Sequence, residues 1–274
     1  MREKIDSLSN RKIKDTAALA TRRGRQKQGR FVAEGLRLGE MAAAAADAGW
    51  KTCYALYTAD LASGERGAKL LDTLEAQGCP LYETADAAFR KACATESPQG
   101  ILIVLEMKQN GLESLQNQGE SAPFYVVLDG VQDPGNAGTI IRTADAAGAA
   151  GVLFTKGSVD VYEEKTVRAT MGSLFHLPVV SGVTVDELAS WAQEKGLQLL
   201  AAALDETARP HFACDLTRPT AVVFGNEGNG VSAALLVRAQ KVYIPMYGAA
   251  ESLNVGTAAA IALYEAVRQR HFSA

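Results

Sequence analysis

Apolar and polar positions alternate in blocks along this chain, and the character of the blocks changes at two places. Near the start, Ile13 and Leu19 stand among basic residues. Ser7 and Ser9 offer N-caps there, so a helix is predicted that runs through Lys12 and ends near Arg22, Arg23 and Gly24. The apolar triplet Phe31, Val32 and Ala33 precedes Gly35, and an Ala-rich helix is predicted over 36–48, stopped by Gly49. A regular alternation follows, with strands predicted over 53–57, 80–82 and 100–105 and helices over 68–76 and 86–94. Residues 1–107 thus read as a small α/β unit. Residues 108–122 are polar, include Gly111 and Gly119, and lack an apolar face, which marks an interdomain linker.

The alternation is stronger in residues 123–274. Strands are predicted over 124–128, 152–154, 197–203, 220–224 and 242–244, and helices over 138–147, 163–171, 185–195, 233–239 and 255–270. The unbroken apolar run Ala221, Val222, Val223 and Phe224 belongs to a sheet buried on both faces, hence mainly parallel and covered by helices. The pattern alone predicts an open, doubly wound sheet. In such sheets ligands sit beyond the carboxyl ends of the strands, and that is where the unusual residues of this chain gather.

Three strand-end loops stand out. In the first, Gly130, Pro134, Gly135 and Asn136 lead into a helix that carries Arg142. The pair is six residues apart and is expected to face one cleft, although an N-cap Asn and a surface Arg explain the types equally well. The second loop has Gly225, Asn226, Glu227, Gly228 and Gly230 after an apolar strand. Its glycines admit close backbone approach, but its spacing matches neither a dinucleotide fingerprint nor a P-loop. In the third, Ile244, Met246, Gly248, Ser252, Leu253 and Asn254 stand before an apolar helix, where capping accounts for the polar residues.

Composition narrows the class. Of 274 residues, 47% are hydrophobic and 22% charged, as in globular proteins, and no apolar run approaches the ~20 residues of a membrane span. No secretory leader pattern opens the chain, so a cytoplasmic location is expected. Cys53, Cys79, Cys93 and Cys214 form no C-x-x-C pair, the three histidines are isolated, and no metal site is expected. The net charge of −3 conceals an asymmetry: residues 1–40 hold 11 Lys and Arg against 5 Asp and Glu, and the rest hold 17 against 26. A basic arm on an acidic body is the signature of a polyanion contact, and a solvated helix face accounts for the same charges.

Taken together and in order, the three loops resemble the three motifs of the SpoU (TrmH-type) RNA 2′-O-ribose methyltransferases of the SPOUT superfamily. The matching patterns are N-x-G-x-x-x-R at Asn136, Gly138 and Arg142, G-N-E-G-x-G over 225–230, and I-P-M-x-G-x-x-E-S-L-N-V over 244–255. Gly256 and Thr257 depart from residues common in relatives. N-R-K-I-K from Asn10 and G-R-F-V-A-E-G-x-R ending at Arg37 resemble the family's substrate-binding module.

The resemblance replaces the open sheet with an α/β SPOUT domain, mostly parallel, tied by a deep trefoil knot, behind a smaller L30e-like α/β domain that holds RNA. It implies S-adenosylmethionine bound bent in the knot and a homodimer with the site near the subunit interface. It assigns catalysis to Asn136, Arg142, Glu227, Ser252 and Asn254, and cofactor contacts to Gly225, Asn226, Ile244, Met246, Gly248 and Leu253. Lys12, Arg22, Arg23 and Arg25 are expected to bind RNA phosphates. A guanidinium is a poor proton acceptor in water, so Arg142 is expected to act as a charge clamp rather than a base. The expected substrate is 23S ribosomal RNA; transfer RNA and a non-catalytic RNA-binding role are the alternatives.

Overall fold

The computed structural model describes residues 2–116 and 122–272. Their contacts separate into two units. One is the chain up to Lys108 together with Tyr162–His176, and the other is Gln109–Val161 together with the chain from Leu177 onward.

The first unit contains β1 (Arg2–Ile5), α1 (Arg11–Ala18), α2 (Arg22–Gln28), β2 (Arg30–Glu34), α3 (Leu36–Ala44), β3 (Thr52–Tyr57), α4 (Ala59–Ser63), α5 (Glu65–Ala76), β4 (Leu81–Thr84), α6 (Asp86–Ala92) and β5 (Ile101–Glu106). Its sheet runs β1-β4-β3-β5-β2. β4 pairs in parallel with β1 and β3, while β5 is antiparallel to both of its neighbours. Ile13, Leu19, Tyr54, Leu56, Phe89, Leu102 and Val104 pack one face.

Two features differ from the pattern reading. Asn10, not Ser7 or Ser9, caps α1 by accepting from Lys12 N at 2.8 Å. Arg22 and Arg23 then begin a second helix, capped by the Thr21 hydroxyl, instead of ending the first. Gly24 permits the tight turn between the two helices, because a Cβ there would lie 1.9 Å from the Ala18 carbonyl oxygen. β1 left no signal, since only Ile5 of its four residues is buried.

The second unit begins with β6 (Phe124–Asp129), α7 (Pro134–Ala146) and β7 (Gly151–Thr155). The chain then contributes Tyr162–His176, with α8 (Glu164–Ala169), to the first unit, although the pattern reading places it in 123–274. The Tyr162 hydroxyl accepts from Lys108 N and donates to Lys108 O, and Trp50 Nε1 donates to Phe175 O at 3.2 Å. α8 packs on β2, where Glu34 is buried and accepts from Thr95 Oγ1 and Gln99 N. Burial, followed by the charge of Glu34, pushes the Glu164 carboxyl up to about 7.

The rest of the second unit is β8 (Val179–Val183), α9 (Val185–Glu194), β9 (Gln198–Ala202), β10 (Arg209–Pro210), β11 (Thr220–Gly225), α10 (Ala233–Leu236), β12 (Gln240–Tyr243) and α11 (Val255–His271). The sheet order is β10-β12-β9-β11-β6-β7-β8, and every pairing is parallel. β8 and β10 escaped the pattern. β8 exposes Ser181 and Gly182 in its middle, and β10 has only two residues. Part of the expected linker is anchored: Leu115 is buried beside Tyr125, Val127 and Trp191. Residues 117–121 of that linker lie outside the described residues.

The strand order positions the site. β11 inserts between β6 and β9, so the carboxyl ends of β6 and β11 lie side by side with Asp129 opposite Gly225. α11 packs on α7. The three distinctive loops are therefore gathered at one edge of the sheet.

Candidate functional site

Asp129, which the pattern reading passed over, ties the loops together. Its buried carboxylate accepts from Thr155 Oγ1 at 2.9 Å and from Ser232 N at 2.7 Å, linking the ends of β6 and β7 to the loop after β11. The available signal was an acidic residue ending an otherwise apolar strand. Gly225 ends β11 with backbone pressed against it, because a Cβ there would come within 2.0 Å of the Gly230 carbonyl carbon. Asn226 closes the loop: its side chain donates to Gly130 O at 2.9 Å and accepts from Gly228 N and Asn229 N at 3.0 Å.

Asp133 caps α7 by accepting from Asn136 N at 2.8 Å, with Pro134 in the first turn. The helix thus starts four residues earlier than the predicted 138, and Asn136 lies inside its first turn. A run of side-chain bonds crosses all three loops from there. Asn136 Nδ2 donates to Glu227 Oε1 at 3.1 Å, and Asn136 Oδ1 accepts from Asn254 Nδ2 at 2.9 Å. Asn254 Oδ1 accepts from Gly256 N at 2.9 Å and Thr257 N at 3.2 Å, capping α11. The carboxylate and the helix end leave each amide a single orientation.

Glu227 also accepts from Gln132 N and Asp133 N, each at 3.1 Å. Burial works against its charged form, but the bonds from Asn136, Gln132 and Asp133 outweigh it, and the carboxyl lies below its ordinary pKa. The network therefore carries a fixed negative charge at its centre.

Beside this network is a cavity of about 430 Å³ at the carboxyl ends of β9, β11 and β12, closed on one side by α11. Gly225, Asn226, Glu227, Ile244, Met246, Ser252, Leu253 and Asn254 line it, together with apolar Val222, Phe224, Val242 and Ala262. Its volume and its apolar walls with a few convergent polar groups suit a small organic ligand.

The remaining predicted residues lie elsewhere. Gly248 is exposed and outside the lining. Arg142 is exposed on α7, also outside the lining, and its side chain makes no hydrogen bond or ion pair among the described residues. Six residues of helix set it about 120° around the axis from Asn136.

In the first unit, Arg22 and Arg23 are exposed at the start of α2. The Lys12 ammonium sits 4.3 Å from the centre of the Tyr54 ring. Arg25 departs from the expectation: it is 3% exposed and its guanidinium donates to Leu19 O and Ala20 O, so it is spent on the end of α1 and cannot present itself to a phosphate. Among the described residues, no group of three or more His, Cys, Asp and Glu side chains is arranged to hold a metal ion, and no helix is long and apolar enough to cross a membrane.

Comparison with known proteins gives two family matches: the SpoU rRNA Methylase family over residues 123–264 and the MRM3-like substrate binding domain over residues 10–103. The chain is 36% identical over 266 residues to the 23S rRNA (guanosine(2553)-2'-O)-methyltransferase RlmP of Bacillus subtilis (strain 168), covering 96% of this chain and 98% of that protein. It is 33% identical to a 23S rRNA (uridine(2479)-2'-O)-methyltransferase of Streptomyces viridochromogenes, covering 93% and 88%. Among solved structures, an AdoMet-bound rRNA methyltransferase from Sinorhizobium meliloti superposes with a TM-score of 0.86 at 31% identity, covering 99% of both chains.

Proposed function

The chain belongs to the SpoU rRNA methylase family, and from that premise we propose that it methylates a ribose 2′-hydroxyl of 23S ribosomal RNA. S-adenosylmethionine is the methyl donor. The observation that carries this reading is the Glu227–Asn136–Asn254 bond run at the rim of an apolar cavity, because it joins all three loops around one reaction centre.

The residues present fit the donor. Gly225 leaves no Cβ between backbone and ligand, and Ile244 and Leu253 add apolar wall and backbone polar groups for an adenosine. When bound, the donor would supply an electrophilic methyl on a sulfonium: the ribose oxygen would take the methyl, S-adenosylhomocysteine would leave with the S–CH₃ bonding pair, and the hydroxyl proton would pass to water. The chain's part is alignment and charge. Ser252 and Asn254 hold the ribose at the cavity rim, with Asn136 and Glu227 fixing Asn254. Arg142 stabilises the developing alkoxide and the neighbouring phosphate, and being unpaired and outside its own chain's lining it reaches the reaction centre in a homodimer. The exposed apolar side chains Ile261 and Tyr264 of α11 support that second copy.

The residues between β12 and α11 complete the cofactor cradle as part of a deep trefoil knot. Residues 1–107 hold the RNA with Lys12, Arg22 and Arg23, and 123–274, apart from the Tyr162–His176 segment that belongs to the first unit, form the methyltransferase domain. The protein acts in the cytoplasm. Incubating it with methyl-labelled donor and total RNA from cells lacking the protein tests the reading. Label in 23S rRNA is expected, while label confined to transfer RNA, or no label, would overturn it.

A further inference from the structure

Glu227 is the charged member of the bond run proposed as the reaction centre, and its backbone has little stiffness of its own. It stands among Gly225, Gly228 and Gly230, and glycine leaves a chain more freedom than any other residue. Two backbone bonds close the turn, Asn226 N to Gly230 O at 2.9 Å and Gly230 N to Asn226 O at 2.8 Å. The closed turn is then held at its two ends. At the entry, the Asn226 side chain donates to Gly130 O. At the exit, Ser232 N donates to the Asp129 carboxylate at 2.7 Å.

The exit bond is set up to be firm. Asp129 is 6% exposed, and a buried carboxylate is costly unless its oxygens are bonded. Its second oxygen accepts from Thr155 Oγ1 at 2.9 Å, and that hydroxyl accepts in turn from Gly130 N at 3.1 Å, which leaves the side chain one orientation. A bond from an amide to a charged oxygen is also roughly twice as strong as a neutral one. Asp129 lies opposite Gly225 in the paired strands β6 and β11, so the bond fixes where the chain leaves the turn relative to where it entered. Gln132 N and Asp133 N, the amides that Glu227 accepts from, follow Asp129 by three and four residues. One short stretch, 129–133, thus carries both the anchor of the turn and the target of its carboxylate.

We propose that Asp129 is a positioning residue for methyl transfer: by holding the exit of the turn it keeps Glu227 within bonding distance of Asn136, and through Asn136 it orients Asn254. This rests on the methyltransferase reading above and adds to it a residue outside the three motifs.

Steady-state methyl transfer to 23S rRNA from cells lacking the protein, resolved into kcat and KM for S-adenosylmethionine, tests the assignment. Asp129→Ala leaves Ser232 N without its acceptor. It is expected to lower kcat by roughly thirtyfold or more, since a displacement of about 1 Å at a reaction centre costs up to 10² in rate, with KM little changed. Asp129→Asn keeps an oxygen for Ser232 N, and its amide can donate to Thr155 Oγ1 once that hydroxyl turns to Leu128 O. It is expected to restore most of the lost kcat. Ser232→Pro deletes the donor at a φ of −60°, which proline accepts. It is expected to reproduce the alanine loss, to add nothing to it in the double variant, and to carry the test where Asp129→Ala does not fold. An unchanged kcat, a loss carried by KM, an asparagine variant as slow as the alanine one, or losses that multiply in the double variant each overturn the assignment. Absence of transfer by the wild-type protein would instead overturn the methyltransferase reading.

Discussion

Asn254 has two separable jobs, and one substitution divides them. Asn254→Asp keeps an oxygen for Gly256 N and Thr257 N, so the helix cap survives and stability changes by less than ~0.5 kcal/mol. The aspartate cannot donate to Asn136 Oδ1, and it places a second carboxylate beside the Glu227 network. Methyl transfer is expected to fall at least tenfold with an unchanged melting temperature, as read by thermal denaturation beside a transfer assay. Arg142 gives a complementary test. If it works as a charge clamp, Arg142→Lys retains measurable transfer while Arg142→Ala loses on the order of 10²–10³ in rate. Equal loss in both variants would refute simple charge stabilisation.

The docking of α8 on β2 makes the first unit sensitive to pH. The Glu164 carboxyl is raised to about 7 by burial and by the neighbouring Glu34, so the folded state holds a proton that the unfolded chain gives up near pH 4.3. Stability therefore declines as pH rises from about 4.3 to 7, and then levels off. Glu164→Gln is expected to flatten that decline in melting curves taken across the range; an unchanged slope would remove Glu164 as its source.

The same segment shows what was legible in the sequence. Its helix was predicted over 163–171, but adjacency along the chain assigned it to the second unit, since no local pattern reveals which unit a crossover packs against. Apolar runs made β6 and β11 readable, whereas the polar middle of β8 hid it. Arg22, Arg23 and Gly24 read as a helix end because basic residues and glycine favour C-termini, yet the Thr21 cap starts a new helix there. In the site, the types of Asn136, Glu227 and Asn254 were legible through their motifs. Their mutual bonds were not, because the partners are 91 and 118 residues apart.

For the molecule as a whole, the basic arm and the cavity are expected to answer to different ligands. Arg22→Glu with Arg23→Glu should weaken RNA binding and lower the slope of log K against log salt by about 1.5, at roughly 0.7–0.9 per phosphate contact, with no change in affinity for S-adenosylhomocysteine. Arg25→Ala belongs to another class. It strips the end of α1 of charged hydrogen bonds and is expected to destabilise the first unit by about 2 kcal/mol, which a denaturant titration reads directly.

The central claim is that the three loops deliver a methyl group to a sugar oxygen of ribosomal RNA. Digesting 23S rRNA to nucleosides after reaction with isotopically labelled donor, and weighing the products by mass spectrometry, tests it most directly. The account predicts one labelled nucleoside carrying the methyl on its ribose; a labelled base, or a mass spectrum without labelled nucleosides, would contradict it.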